Sequence, residues 1–322
     1  MRTVCAATVC VGLVALTGCV GGGGKEIVFG VVAKSQSNPV FQAARKGAED
    51  AAVELSKKYG KKIRIEWRTP NEEDPQKQAE AIEALVNAGA RGISISCSDG
   101  AFLKKSIDLA VDAGVPVVCF DSDSLGSKRF IYHGIDDVSC GRRLMAELAG
   151  VMGGKGTIAV LAGNQNAPNL QKRVQGVREE LARYPKMKLK QVYFHKETPQ
   201  DAAAKVEEVQ TANPDIGGWA FIGGWPLFTD SLLKWKRQYP NVKMVSVDAL
   251  PAQLPYIREG VVQVLLGQQV YRWGWRSVEL LAQKVLGGVT DFPERDISDL
   301  VAVTPGNVDE YAKNWETWLP AR

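Results

Sequence analysis

Histidine is almost absent. His133 and His195 are the only two in 322 residues, so a His-rich metal cage or a histidine-centred catalytic relay has little to draw on. Neither sign of charge dominates: forty Lys and Arg against thirty-six Asp and Glu leave +4, with no run of like charge. A nucleic-acid or acidic-surface partner is therefore not implied. Past the first twenty residues no apolar run approaches the ~18 needed for a membrane helix, so the body of the chain reads as soluble. Enzyme motifs are missing too. Gly150 to Thr157 lacks the spacing of a phosphate-binding loop, and no Ser or Thr follows Lys155 directly. Gly154-Lys155-Gly156 precedes its strand, where a dinucleotide loop would follow it. No nucleophile elbow, zinc spacing or CxxC pair occurs, and no cofactor is implied. Asp121 and Asp123 form a close acidic pair, whereas glycosidase carboxylates normally come from separate elements.

The amino terminus stands apart from this. Arg2 precedes an apolar stretch, Val4 to Leu16, too short to span a bilayer and suited to the core of a signal peptide. Leu16-Thr17-Gly18-Cys19 then resembles a bacterial lipoprotein signal, cut before a lipidated cysteine. On that reading residues 1–18 are removed, and residues 19–25 are the acylated Cys19 and a glycine tether reaching about 10–12 Å. The tether would hold the folded body against a membrane of the cell envelope, on the extracytoplasmic side. Of six cysteines, Cys97, Cys119 and Cys140 lie beyond it. An odd number argues against a disulfide framework.

From Ile27 onward, strand and helix patterns alternate. Ile27 to Val32 is a nearly continuous apolar run, as in a strand buried on both faces of a parallel sheet. Phe41 to Tyr59 is helical, with Ala44, Ala48, Ala51, Ala52 and Leu55 on one face. The spacing predicts further strands at Lys62–Trp67, Gly92–Ser96 and Val115–Phe120, and helices at Asp74–Ala88 and Phe102–Ala113, with glycine at the helix-to-strand turns. The second half predicts strands at 156–162, 189–194, 218–222 and 243–247 and helices at 170–184, 202–212 and 228–239. A strand near 261–266 and a helix at 271–286 follow. The length exceeds one ordinary core, and this alternation supplies enough units for two doubly wound parallel sheets.

Open α/β sheets collect ligands at the carboxyl ends of their strands. Here those positions carry Asn38 and Phe41, then Asp121, then Asn164 and Asn166, Trp225, Asp248 and Gln268. Acids and amides pair with hydroxyls, and ring faces pack on the apolar face of a sugar.

At these residues the chain resembles the type I periplasmic binding proteins of sugar ABC transporters, the ribose- and glucose-binding branch. The carriers are Ser37-Asn38-Pro39-Val40-Phe41, Gly114 to Asp123, Arg173-Val174-Gln175-Gly176, Val247-Asp248 and Gly267-Gln268, spread from about Lys25 to Leu300. The resemblance implies two lobes joined by three chain crossings, residues 26–134 plus 269–298 and residues 135–268 plus 299–322. A monosaccharide would be held between them by hinge closure and delivered to an ABC permease, by a protein that is not an enzyme and is monomeric. It implies that Asn38, Phe41 and Asp121 contact the sugar from the first lobe, Trp225 from the second, and Asp248 and Gln268 near the hinge. Val40, Ser122 and Gln171 depart from the ribose pattern, the last two where arginine is usual. Trp225 with Asn164, Asn166, Asn169 and Gln171 looks more like the glucose branch, so a pyranose such as glucose or xylose is expected. Other readings stay open: Asn38 as a helix cap, Asp121 as a turn cap, Phe41 as core, Arg173 as an exposed or salt-bridged residue. At the level of function two alternatives remain. One is a receptor passing a polyol-like signal to a chemoreceptor or sensor kinase; the other is a secreted glycoside-acting enzyme.

Overall fold

The computed structural model describes residues 26–318. The segment read above as a signal sequence, with Cys19 and the glycine stretch after it, lies outside the described residues. The chain begins with β1 (Ile27–Val32), α1 (Pro39–Tyr59), β2 (Ile63–Trp67), α2 (Pro75–Asn87), β3 (Gly92–Ile95), α3 (Gly100–Asp112), β4 (Val117–Phe120) and β5 (Ile131–Gly134). Local chemistry sets these boundaries. Asn38, Asp74 and Asp99 cap the three helices by accepting backbone N–H bonds, the position where a short acceptor side chain satisfies an orphan donor. Gly60, Gly89 and Gly114 turn the chain back with φ of 60°, 78° and 84°, a region glycine enters without steric cost.

The second unit repeats this grammar. It comprises α4 (Asp137–Met152), β6 (Lys155–Ala162), α5 (Pro168–Leu181), β7 (Lys186–Phe194), α6 (Pro199–Ala212), β8 (Ile216–Phe221), α7 (Ser231–Lys236), β9 (Lys243–Val247), α8 (Leu254–Arg258) and β10 (Val264–Gly267). After it come α9 (Val270–Val285), β11 (Arg295–Ile297), β12 (Val301–Val303) and α10 (Val308–Trp318). Two six-stranded sheets result, in the orders β11-β5-β4-β3-β1-β2 and β12-β10-β9-β8-β6-β7. All pairings are parallel except β10 with β12. The two orders are the same, strand for strand. The chain passes between the sheets three times: after β5, after β10, and between β11 and β12. α9 returns to the first sheet, packing on α1, β3, β4 and β5.

Several elements differ from the sequence expectation. The strand at β5 and the helix α4 were not predicted, although Cys140, Leu144, Met145 and Leu148, all buried, show helical spacing between the Asp136 cap and Gly153. The helix predicted at 228–239 is a 3₁₀ turn at Trp225–Phe228 followed by the short α7. Thr229, with φ −121° and ψ 168°, is extended and separates them. Cys97, Cys119 and Cys140 are buried and unpaired.

Two glycine contacts seat each of two helix pairs, α1 with α9 and α4 with α5. A Cβ on Gly274 of α9 would strike the Ala44 carbonyl of α1, and one on Gly47 would strike the Tyr271 carbonyl. In the other unit Gly141 of α4 faces the Arg173 carbonyl and Gly176 of α5 faces that of Val138. These approaches are backbone on backbone, so no flexible side chain can yield. Gly274→Ala is therefore expected to destabilise the protein by about 1–3 kcal/mol, read as a lower midpoint in urea. A midpoint equal to wild type would show that α1 and α9 can slide apart without cost.

Candidate functional site

β4 and β9 hold the same place in their respective sheets, and each is followed directly by an aspartate with positive φ: Asp121 at 57° and Asp248 at 76°. They are the only non-glycine residues with positive φ among the described residues. Asp tolerates this left-handed conformation better than most residues, at a modest cost in strain. Such strain, repeated at equivalent points of two sheets, marks a site. Both carboxylates line one small cavity between the sheets, of about 30 Å³.

From the first sheet, Lys34, Asn38, Phe41 and Asp121 reach the cavity; from the second come Asn169, Arg173, Trp225, Asp248 and Gln268. Asn38 plays two parts. Its Oδ1 accepts from the Val40 backbone at 3.2 Å, capping α1, while the residue also lines the cavity. Asp121 accepts from Ser96 Oγ at 2.6 Å and, across the cleft, from Asn169 Nδ2 at 3.1 Å. Asn169 Oδ1 in turn accepts from the Lys34 ammonium at 3.2 Å, again across the cleft. Asp248 accepts from the Gly224 backbone at 3.0 Å and from Gln268 Nε2 at 2.7 Å.

Behind Gln268 stands a buried ion pair. Arg173 is 2% exposed. Its guanidinium donates to Asp137 at 2.9 Å, to the Ile222 carbonyl at 3.0 Å and to Gln268 Oε1 at 3.0 Å. Asp137, Arg173, Gln268 and Asp248 thus form one chain of bonds that orients the second aspartate. Burial pushes the Asp137 carboxyl up to about 6, although Arg173 opposes the shift. Burial also raises Asp248, against the pull of Arg173, Gln268 and Gly224. For Lys34, burial works against the charge, but Asp121, Glu197 and Glu73 outweigh it and its pKa is raised, so the ammonium persists.

Seven of the eight residues that the sequence singles out line this cavity: Asn38, Phe41, Asp121, Asn169, Trp225, Asp248 and Gln268. Gln171 does not. It lies exposed on α5 and donates to the Gln165 carbonyl at 2.7 Å. The helix period explains this: residues i and i+2 point about 200° apart, so Asn169 and Gln171 cannot share a face, whereas Asn169 and Arg173 can. Trp225 is buried, at 6% exposed. Its ring packs over Gly163 and Gly223, where any Cβ would meet it, and stands edge-on to His195 with centroids 5.1 Å apart. Sequence reasoning missed Lys34 and the burial of Arg173. Trp273, which the sequence does not single out, also lines the cavity, and its Nε1 has no partner among the described residues.

Two α/β lobes with equivalent acids, amides and rings turned into one cleft define a two-lobed solute-binding protein. Residues 29–288 match the model of the periplasmic binding protein domain family. The chain belongs to that family, has the type I fold, and binds its solute without transforming it. A curated relative, the D-apiose import binding protein of Actinobacillus succinogenes, is 26% identical over 59% of this chain and 60% of its own length. Among solved structures, an ABC transporter solute-binding protein from Burkholderia graminis in complex with D-arabinose superposes with a TM-score of 0.82 at 24% identity, covering 88% of this chain and 97% of that one. A glucose-galactose binding protein from Geobacillus stearothermophilus gives 0.80 at 22% identity, covering 88% and 99%.

Proposed function

We propose that this protein captures a monosaccharide, a pyranose such as glucose or xylose, by closing its two lobes, and delivers it to the permease of an ABC transporter. The observation that carries this reading is the pair of left-handed aspartates, Asp121 and Asp248, aimed from equivalent strand ends into a cavity that the Phe41 and Trp225 rings also line. Carboxylates accept from vicinal hydroxyls, and the rings cover an apolar sugar face. The lobes are taken as residues 26–134 plus 269–298 and 135–268 plus 299–322, with the three crossings as the hinge. Asn169 bonds directly to Asp121 and Lys34 across the cleft, and the cavity of about 30 Å³ has room for a water or two. A pyranose therefore enters only when the lobes part, and contacts both lobes only when they close. The Leu16-Thr17-Gly18-Cys19 segment supports a lipid anchor on the extracytoplasmic face of a membrane.

Titration with a panel of aldopentoses and aldohexoses tests this. A ligand at one hundred times its Kd adds about 2.7 kcal/mol to folding, a rise in Tm of about 5 °C for a chain of this size. If no sugar of the panel shifts Tm or gives heat in calorimetry, the reading is wrong.

A further inference from the structure

Beside the proposed sugar cavity, with Glu197 lining both, lies a larger one of about 580 Å³ lined by residues of both lobes, among them Glu73, Asn164 and Glu197. Glu73 sits in the loop between β2 and α2 of the first lobe; Asn164 and Glu197 follow β6 and β7 of the second. The Asn164 side-chain amide donates across the cleft to Glu73 Oε1 at 3.1 Å, while its backbone N–H donates to Glu197 Oε1 at 3.2 Å. Two carboxyl groups from opposite lobes thus converge on one asparagine. Glu197 also lines the sugar cavity.

We propose that Glu73, Asn164 and Glu197 form a proton-linked latch that stabilises the closed lobes and so sets ligand affinity from beside the proposed sugar cavity. The charges around it are unbalanced. Lys34, after β1, is the cation whose field reaches both glutamates, but Asp121, after β4, claims the same ammonium at 3.9 Å. Three carboxyls therefore share one nearby ammonium. Arg173, on α5, works against Lys34 and is already matched to Asp137. Glu72 and Lys196 lie at the rim of the same cavity, and His195, beside Glu197, has its pKa lowered by burial. Glu197 keeps some exposed surface, yet its carboxyl end is enclosed.

Burial, reinforced by the charge of Glu73, pushes the Glu197 carboxyl up to about 7 in this closed arrangement; burial raises Glu73 as well. When the lobes part, Glu73 leaves with the first lobe and both groups return toward the ordinary carboxyl value near 4.3. Closure then takes up a proton. The sign follows from linkage: the closed form is favoured below about pH 7 and loses that advantage as pH rises through it.

The affinity readout rests on the sugar-capture reading, so a second readout is needed that does not. With a sugar from the panel, wild-type Kd is expected to rise about tenfold between about pH 6 and about pH 8.5. In Glu197→Gln, which keeps an acceptor for Asn164, the rise is expected to shrink to about twofold or less; in Glu73→Gln, where burial still raises Glu197, it is expected to shrink by a smaller factor. A pH dependence identical in wild type and both variants overturns the latch while leaving sugar capture intact. Without any sugar, the radius of gyration by small-angle scattering is expected to fall on acidification in wild type and to stay level in the double variant. Equal behaviour of the two proteins in scattering overturns the latch, whether or not a sugar binds.

Discussion

Replacing Arg173 by methionine is expected to lower the free energy of unfolding by about 3–5 kcal/mol at neutral pH, since removing one partner of a buried ion pair strands the other. The stranded group is Asp137, whose side chain is 4% exposed and whose bond to Arg173 is 2.9 Å. The loss should depend on pH, and its sign can be worked out. Asp137 already has a folded-state pKa raised from 3.8 to about 6, with burial as the main cause. Removing the opposing arginine raises it further. A carboxyl whose folded pKa is raised binds its proton more tightly in the folded state, so its contribution to stability is fully present below the unfolded value of 3.8 and is lost as pH rises from there through the folded value. Arg173→Met should therefore be less damaging near about pH 5 than near about pH 7.5. Urea unfolding at both values, with Asp137→Asn alone and combined with Arg173→Met, tests this. A destabilisation of the same size at both pH values would mean that lost packing, not the stranded carboxylate, is responsible.

Asp121→Asn and Asp248→Asn are each expected to weaken sugar binding by about 10- to 150-fold, matching the about 1.5–3 kcal/mol of a hydrogen bond to a charged group. Asparagine tolerates the left-handed backbone, so both variants should fold. What changes is the bonding. Asp121 accepts from Ser96 and Asn169, and Asp248 from Gly224 and Gln268. An amide meets one of each pair with a donor, and its charge no longer answers Lys34 or Arg173. Calorimetric titration measures the loss. Wild-type affinity in both variants would show that these carboxylates serve only to hold the protein's own side chains, and that the sugar is recognised elsewhere in the cleft.

Much of the site was legible because ligand positions in a doubly wound sheet follow the strand ends, and strand ends are marked by where an apolar run stops. Asp121 follows Val117-Val118-Cys119-Phe120, and Asp248 follows Met244 to Val247. The same rule passes directly over Lys34, which ends the first apolar run. A lysine there reads as an exposed charge until Asn169, 135 residues on, is brought against it. Gln171 erred in the other direction: family position favoured it, while the helix period already set it opposite Asn169. The three-residue strands β11 and β12 carry too little pattern to be seen locally, yet they are what divides the carboxyl-terminal chain between the two sheets.

The sequence by itself determined the alternation of strand and helix, the capped and glycine-turned helix ends, and the acids and amides waiting at strand termini. These depend on backbone preferences and faces that act over a few residues. Only the tertiary structure decided which sheet each segment joins, that Arg173 is buried against Asp137, that Lys34 is held inside the cleft, and that Glu73 and Glu197 meet on Asn164. Each of those outcomes is a pairing between residues far apart in the chain. Its energy comes from desolvation and from partners that exist only once both sheets have assembled and faced each other.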